Sequence, residues 1–227
     1  VNDTDVKSAT AIQELDKSGI NTSGIIKLLS AGLLGLKKNR KLVPTRWSIT
    51  ATDDTLSKQL LEKVKTYQEI SEYLIFTAEY LGNHYEFLLL PEKYSFEVIE
   101  MRTNHSQTGV FWNDYESFFK RKKYADNVTG AYYANRLALV EYLNKIKRQA
   151  SCLVIREIRP EYYAPCGVGI LRETSREAFK QQPKIFNTLK AALNNIQERL
   201  KQPISNYTSK SWLLNQQRTQ TKLNQFV

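Results

Sequence analysis

The carboxylates of Asp53, Asp54, Glu97, Glu100 and Glu157 are the side chains of this sequence that could act on a phosphate. Oxygen ligands of this kind hold Mg²⁺ or Mn²⁺, and a divalent ion so held neutralises charge on a transferring phosphoryl group. Glu97 and Glu100 are separated by an odd number of residues in a run of strand character, so on a regular strand they point to opposite faces. A shared ion then needs help from Asp114 or Glu116 and from Glu157. No nuclease-like spacing joins these acids, and the solvated face of a half-buried sheet accounts for them equally. Arg156-Glu157 lies inside the otherwise apolar residues 152–158, and the same pair recurs as Arg172-Glu173 and Arg176-Glu177. Charges inside an apolar strand are costly unless paired or functional. Arg156 either grips a phosphate bidentately, with Glu157 as ligand or base, or these pairs tie strand to helix internally.

A second chemistry is stacking and charge. Residues 37–54, KKNRKLVPTRWSITATDD, bring Lys37, Lys38, Arg40, Lys41 and Arg46 together with Trp47. Pro44 fixes its own φ and pushes Val43 away from helix, so an extended basic run is expected there. A short strand over 46–49 should follow, then an Asp or Thr N-cap such as Asp54 for a helix starting at Leu56. Further on, Trp112, Tyr115, Phe118 and Phe119 lead into Lys120, Arg121, Lys122, Lys123 and Tyr124, then Tyr132, Tyr133 and Arg136. Basic grooves with aromatic platforms hold single strands and flipped bases. Aromatic sets of this size also furnish cores, and charge runs usually form solvated faces. A pocket shared by Arg46, Trp47, Arg156 and Glu157 would give the PTRW run and the charged strand one explanation.

The whole chain agrees in sign. Lys plus Arg number 33 against 23 Asp plus Glu, a net charge of +10 over 227 residues. Such a balance attracts polyanions without dictating a fold. Cys152 and Cys166 are the only cysteines, with no Cys-x-x-Cys, which excludes a structural zinc site; Cys152 reads as a small core residue. His84 and His105 form no triad. GAYYA and GVGIL lack the lysine and spacing of a phosphate-binding loop, so ATP-driven work is not indicated. No apolar run approaches the roughly 20 residues of a membrane span and no secretory signal is visible, so a cytoplasmic location is expected. The sequence starts at Val1 and its one methionine is Met101, so a preceding segment is expected.

The elements that must position these residues can be read from periodicity. Residues 6–15 and a stretch from Thr22 or Ser23 are helical, the second ended by Gly32 and Gly35. Apolar positions from 56 to 81 suggest a long amphipathic helix or two short ones. Residues 85–90 and 95–101 flank Pro91-Glu92-Lys93, the pattern of a hairpin, and 110–112 suggests a short strand. Residues 129–149 are helical, 152–158 and 167–171 strand-like, and 173–181 helical. A last long helix runs from Pro183 to near Leu200. Beyond Pro203 the composition turns to Ser, Asn, Gln, Thr and Lys, as in a mobile tail. The fold class expected is α+β: N-terminal helices, a mixed or antiparallel sheet with packed helices, and a disordered C-terminal tail. Residues 1–202 would form one domain and 203–227 the tail.

The tail ends Gln220-Thr-Lys-Leu223-Asn-Gln-Phe226-Val227. Gln220, Leu223 and Phe226 resemble the box by which replication and repair proteins dock on the PCNA sliding clamp, with Val227 in place of the usual second aromatic. A short anchor at the end of a disordered segment suits folding on binding.

LSAGLLGLKKNRKLVPTRWSITATDD, residues 29–54, resembles the signature segment of the archaeal Nre proteins, a DNA-repair family. LGNHYEFLLLPEKYSFEVIEM, GAYYANRLALVEYL and VIREIRPEYYAPCGVGILRE extend the resemblance over most of the chain from about Ala11. Members of that family begin with a cysteine-rich, metal-binding-like segment that this sequence does not contain. The resemblance implies a DNA-repair role with PCNA and DNA as partners, and implies no reaction. A metal-dependent enzyme acting on nucleic acid and a non-enzymatic RNA-binding protein are the competing readings.

Overall fold

The computed structural model describes residues 2–103, 111–119, 121–163 and 166–219. Two amphipathic helices come first. α1 (Ser8–Lys17) buries Ile12, and α2 (Thr22–Ser30) buries Ile25, Ile26 and Leu29. Asn21 caps α2 by accepting the Gly24 amide proton at 2.8 Å. A short 3₁₀ turn, Lys37–Asn39, follows, and then α3 (Thr45–Val64).

The strand expected over 46–49 is the start of α3. The amides of Trp47 and Ser48 donate to the Pro44 carbonyl at 2.9 and 3.1 Å, which makes a first helical turn. Proline is well tolerated at a helix start, where no amide proton is needed. Asp54 is therefore interior to the helix rather than its cap. The buried residues of the first half of α3 are Ser48, Thr50, Thr52 and Asp53, so the apolar period appears only with Leu56, Leu61 and Val64. The helix also stops at Val64, well short of Leu81, because the chain turns there into the sheet.

The strands are β1 (Tyr73–Tyr80), β2 (Asn83–Leu90), β3 (Ser95–Arg102), β4 (Phe111–Glu116), β5 (Ser151–Ile158) and β6 (Lys184–Phe186). They form one 6-stranded sheet in the order β4-β3-β5-β2-β1-β6. Among the described strands β3 and β5 pair in parallel and the other strand pairs are antiparallel, so the sheet is mixed. β1 and β2 form a tight hairpin through Leu81 (φ 46°) and Gly82 (φ 74°). Gly82 is needed twice over, since a Cβ there would come within 2.4 Å of the Tyr162 nitrogen.

The β2–β3 hairpin expected from Pro91-Glu92-Lys93 does not form. β5 lies between the two strands and pairs with both. Residues 91–94 reach about 13 Å when extended, more than the two strand spacings of about 10 Å needed to pass over one strand. Ser151, at the start of β5, fixes this crossing by donating from Oγ to the Lys93 carbonyl at 2.8 Å.

Alternation along the strands divides the core. Phe76, Phe87, Phe96 and Val154 face α1–α3, α4 (Gly130–Ile146) and α5 (Val168–Lys180). Ile75, Leu88, Ile99 and Ile155 face α6 (Leu189–Gln197), α7 (Ser205–Thr208) and α8 (Trp212–Thr219). Cys152 is buried in the first of these cores, as expected of a small core residue. The strand expected over 167–171 is the first turn of α5, entered through Gly167. The single long helix expected from Pro183 is instead β6 followed by α6. Tyr207, Leu213 and Leu214, in the stretch that composition marks as tail, are buried against the sheet, so the packed body extends beyond residue 203. Among the described residues no helix is long and apolar enough to cross a membrane.

Candidate nucleic-acid interface

Trp47, Thr50, Ala51 and Asp54 stand at i, i+3, i+4 and i+7, so they share one side of α3. Together with Tyr124 and Tyr133 they line an open cleft of about 470 Å³. Trp47 is 61% exposed and Tyr124 55% exposed. The Tyr124 ring stacks on that of Tyr133, with centroids 5.2 Å apart and planes 29° apart. The Tyr133 hydroxyl accepts the Ala125 amide proton at 2.9 Å, and burial raises its pKa, so the phenol stays neutral.

Charged side chains fix the loop that carries Tyr124. Arg121 donates to the Tyr115 carbonyl at 2.8 Å, to Asp114 Oδ1 at 2.7 Å, and to the carbonyls of Lys123 and Tyr124. Asp114 accepts in turn from the amides of Asn127 and Val128 at 3.0 and 2.8 Å. Lys65, from the far end of α3, donates to the Phe118 carbonyl. The base of the cleft is tied by Arg136. Its Nη1 donates to Glu116 Oε2 at 3.0 Å, its Nε to Ser57 Oγ at 3.1 Å, and its Nη2 to Asp54. Tyr132 and Tyr133 lie against the same guanidinium, at 5.5 and 5.3 Å. α4 itself is set by Gly130, where a Cβ would come within 2.5 Å of Val168 on α5.

The basic candidates divide sharply. Lys37, Lys38, Lys41, Arg46, Lys122 and Lys123 are exposed, as is Trp47. Arg40 instead donates to the carbonyls of Gly35 and Asp3, and Arg121 organises its own loop. Arg136 and Arg156 are buried, so neither is placed to meet a nucleic acid. Arg156 donates to Glu100 at 2.6 Å and to Asn83 at 3.0 Å, between the rings of Tyr85 and Tyr162. Lys120 lies outside the described residues, as do His105, Gln220, Leu223, Phe226 and Val227.

The carboxylates are not brought together. Glu97 and Glu157 face α6–α8, whereas Glu100, Asp53 and Asp54 lie on the opposite side. Glu97 accepts from Ser211 Oγ at 2.6 Å and from the amides of Trp212 and Leu213 at 2.9 and 3.0 Å, capping α8. Glu157 accepts from the Lys201 and Gln202 amides, each at 2.9 Å, and from the Tyr207 hydroxyl at 3.1 Å. Asp53 accepts from Arg172 at 2.8 Å, and Asp54 accepts from Arg136 and Lys58. Among the described residues no group of three or more metal-ligating side chains converges. The one site imagined for Arg46, Trp47, Arg156 and Glu157 is likewise not formed, because adjacent strand residues face opposite sides. The Arg-Glu pairs are internal ties: Arg156 joins β5 to β3, Arg172 joins α5 to α3, and Arg176 joins α5 to Glu141 of α4 at 2.6 Å.

The contribution of Thr50 and Ala51 was not legible without knowing that α3 begins at Thr45. With that start, the 47/50/51/54 spacing is the signal.

The result is an α+β protein with an open aromatic cleft between basic segments. Residues 1–112 match the family described as Archaeal Nre, N-terminal, and residues 116–226 match Archaeal Nre, C-terminal. The chain belongs to the archaeal Nre family. It is 39% identical over 203 residues to a protein of Archaeoglobus fulgidus named DNA repair protein NreA, covering 86% of this chain and 51% of that one. DNA repair protein NreB of the same organism is 40% identical over 224 residues, covering 96% of this chain and 56% of the relative. DNA repair protein NreA of Haloferax volcanii is 35% identical over 220 residues, covering 92% and 51%. The chain thus spans about half the length of the curated relatives it matches. No solved structure matches it.

Proposed function

We propose that this chain acts in DNA repair in the cytoplasm, binding DNA across the basic segments that border the Trp47–Tyr124 cleft and docking on the PCNA sliding clamp through residues 220–227. The observation that carries the DNA-binding reading is the exposure of two large aromatics on one cleft. Trp47 follows Lys41 and Arg46 in sequence, and Tyr124 follows Lys122 and Lys123. Exposed apolar surface rimmed by charge marks an interaction site, and the sign of this rim suits phosphate. The names of the relatives point the same way.

Binding should weaken steeply with salt, because each lysine that neutralises a phosphate releases a counterion. The double variant Lys122→Ala/Lys123→Ala should flatten the dependence of log K on log salt by about two. Affinity that is indifferent to salt would remove this reading. The clamp reading rests on the sequence of residues 220–227. In the proposed complex, the three-residue spacing of Leu223 and Phe226 would let one helical turn on the clamp point both into a hydrophobic pocket, with Gln220 in a polar niche beside it. Few anchors must offset the ordering of the peptide, so a Kd on the order of 1 µM is expected for the peptide alone, with DNA binding by the body raising the effective grip. Calorimetry with PCNA should show binding by the parent chain and none by Leu223→Ala/Phe226→Ala. Equal binding by both would end the clamp assignment.

A further inference from the structure

We infer that the cleft takes a single unstacked nucleobase, from single-stranded or locally opened DNA, held between the Trp47 indole and the Tyr124 ring. This rests on the DNA-binding reading above and gives that surface a substrate class. The cleft is lined by Trp47, Thr50, Ala51 and Asp54 of α3 together with Tyr124 and Tyr133, and its exposed surface is mostly apolar and aromatic. Leaving Trp47 61% and Tyr124 55% exposed forgoes burial that such large rings normally gain, and a ligand face restores it. A base inside duplex DNA has both faces covered by its neighbours and offers this cleft only an edge. An unstacked base offers the two π-faces that facing aromatics bind. Arg46 beside Trp47, and Lys122 and Lys123 beside Tyr124, are exposed and suited to the phosphates on either side of such a base. The same positive charge disfavours a basic protein segment as the occupant.

The polar atoms at the floor are already engaged. Thr50 Oγ1 donates to the Arg46 carbonyl at 3.1 Å, and the Asp54 oxygens accept from Arg136 and Lys58. Stacking rather than edge recognition therefore dominates, and the cleft should tolerate any base. This is the behaviour of a sensor for exposed bases rather than of a sequence reader.

The test uses the full chain and three DNA probes of equal length: an oligothymidylate, the same backbone carrying abasic sites throughout, and the matching duplex. At one salt concentration the oligothymidylate should bind roughly tenfold more tightly than the abasic strand, the range that stacking of one base supplies. It should also outbind the duplex. Trp47→Ala and Tyr124→Ala should each bring the oligothymidylate down towards the abasic level while leaving abasic binding unchanged. Trp47→Phe should keep most of the difference. Exchanging thymine for cytosine or adenine should alter affinity only a few-fold. Both side chains are more than half exposed, so the alanine variants should fold as the parent does. Equal binding of the native and abasic strands, a duplex bound as tightly as the single strand, or a uniform loss in Trp47→Ala would overturn the base-binding inference and leave DNA binding standing. No binding to any probe would overturn both.

Discussion

Asp53 is buried between α3 and α5 with one carboxylate oxygen on Arg172 and the other, Oδ2, without a hydrogen-bond partner. Burial outweighs the attraction of Arg172 and raises its pKa to about 6. An unfolded chain releases the same proton near about pH 3.9. Between these values the folded state binds more protons, so the contribution of Asp53 to stability falls as pH rises through that window and is level on either side. The fall amounts to about 3 kcal/mol at most. Asp53→Asn abolishes this titration, so the stability difference, parent minus variant, should decline between about pH 4 and pH 6 in urea unfolding. A difference constant with pH would mean that folding leaves the Asp53 pKa where the unfolded chain has it. At this scale the sequence was informative about need and silent about partners. Arg156 and Arg172 called for counter-charges by the cost of burying them alone. The acids that answer, Glu100 and Asp53, come from distant parts of the chain and were sought as metal ligands instead.

Among the elements, those with their own apolar period were the legible ones: α1, α2, α4 and β5 lie close to where the pattern places them. α3 was hidden because its buried side begins with Ser48, Thr52 and Asp53, whose hydrogen bonds replace apolar contact. β2 and β3 were individually clear, but nothing local says that a strand some fifty residues later enters between them, about 5 Å from each. α8 was hidden by its polar composition, and its seat is equally non-local. Trp212 stacks on Tyr115 with centroids 4.5 Å apart, and buried Glu97 satisfies the helix's leading amides. Replacing that carboxylate by Glu97→Gln puts an amide donor against those N–H groups and should cost about 1–2 kcal/mol. Hydrogen exchange should accelerate at Trp212 and Leu213 and stay slow at Leu153 in the centre of the sheet. Unchanged protection across α8 would show that the Trp212 stack and the burial of Leu213 and Leu214 hold the helix without the carboxylate.

For the molecule as a whole, the net charge of +10 told the sign of the partner but not where the charge would stand. The structure sorts most of it by chemistry, with Arg46 left exposed among the lysines and Lys65 turned in onto the Phe118 carbonyl. Arg40, Arg121, Arg136 and Arg156 turn inward onto carbonyls and carboxylates, which the planar guanidinium can meet at several points at once. Lys37, Lys38, Lys41, Lys122 and Lys123, with compact and strongly hydrated heads, stay outside. Neighbouring residues can therefore play opposite parts, and Arg40 and Lys41 make the contrast measurable. Arg40 ties the N-terminal segment at Asp3 to the turn at Gly35. Arg40→Ala should lower the unfolding midpoint by an amount corresponding to about 1–3 kcal/mol and leave the salt dependence of DNA binding as it was. Lys41→Ala should do the reverse, with stability within about 0.5 kcal/mol of the parent and the slope of log K against log salt reduced by about one. Fluorescence anisotropy on a salt series, paired with urea unfolding of the same preparations, separates the two. A flattened slope in Arg40→Ala with an unmoved midpoint would place Arg40 on the DNA instead, and the division of arginines inward and lysines outward would then fail at the surface where it bears most on function.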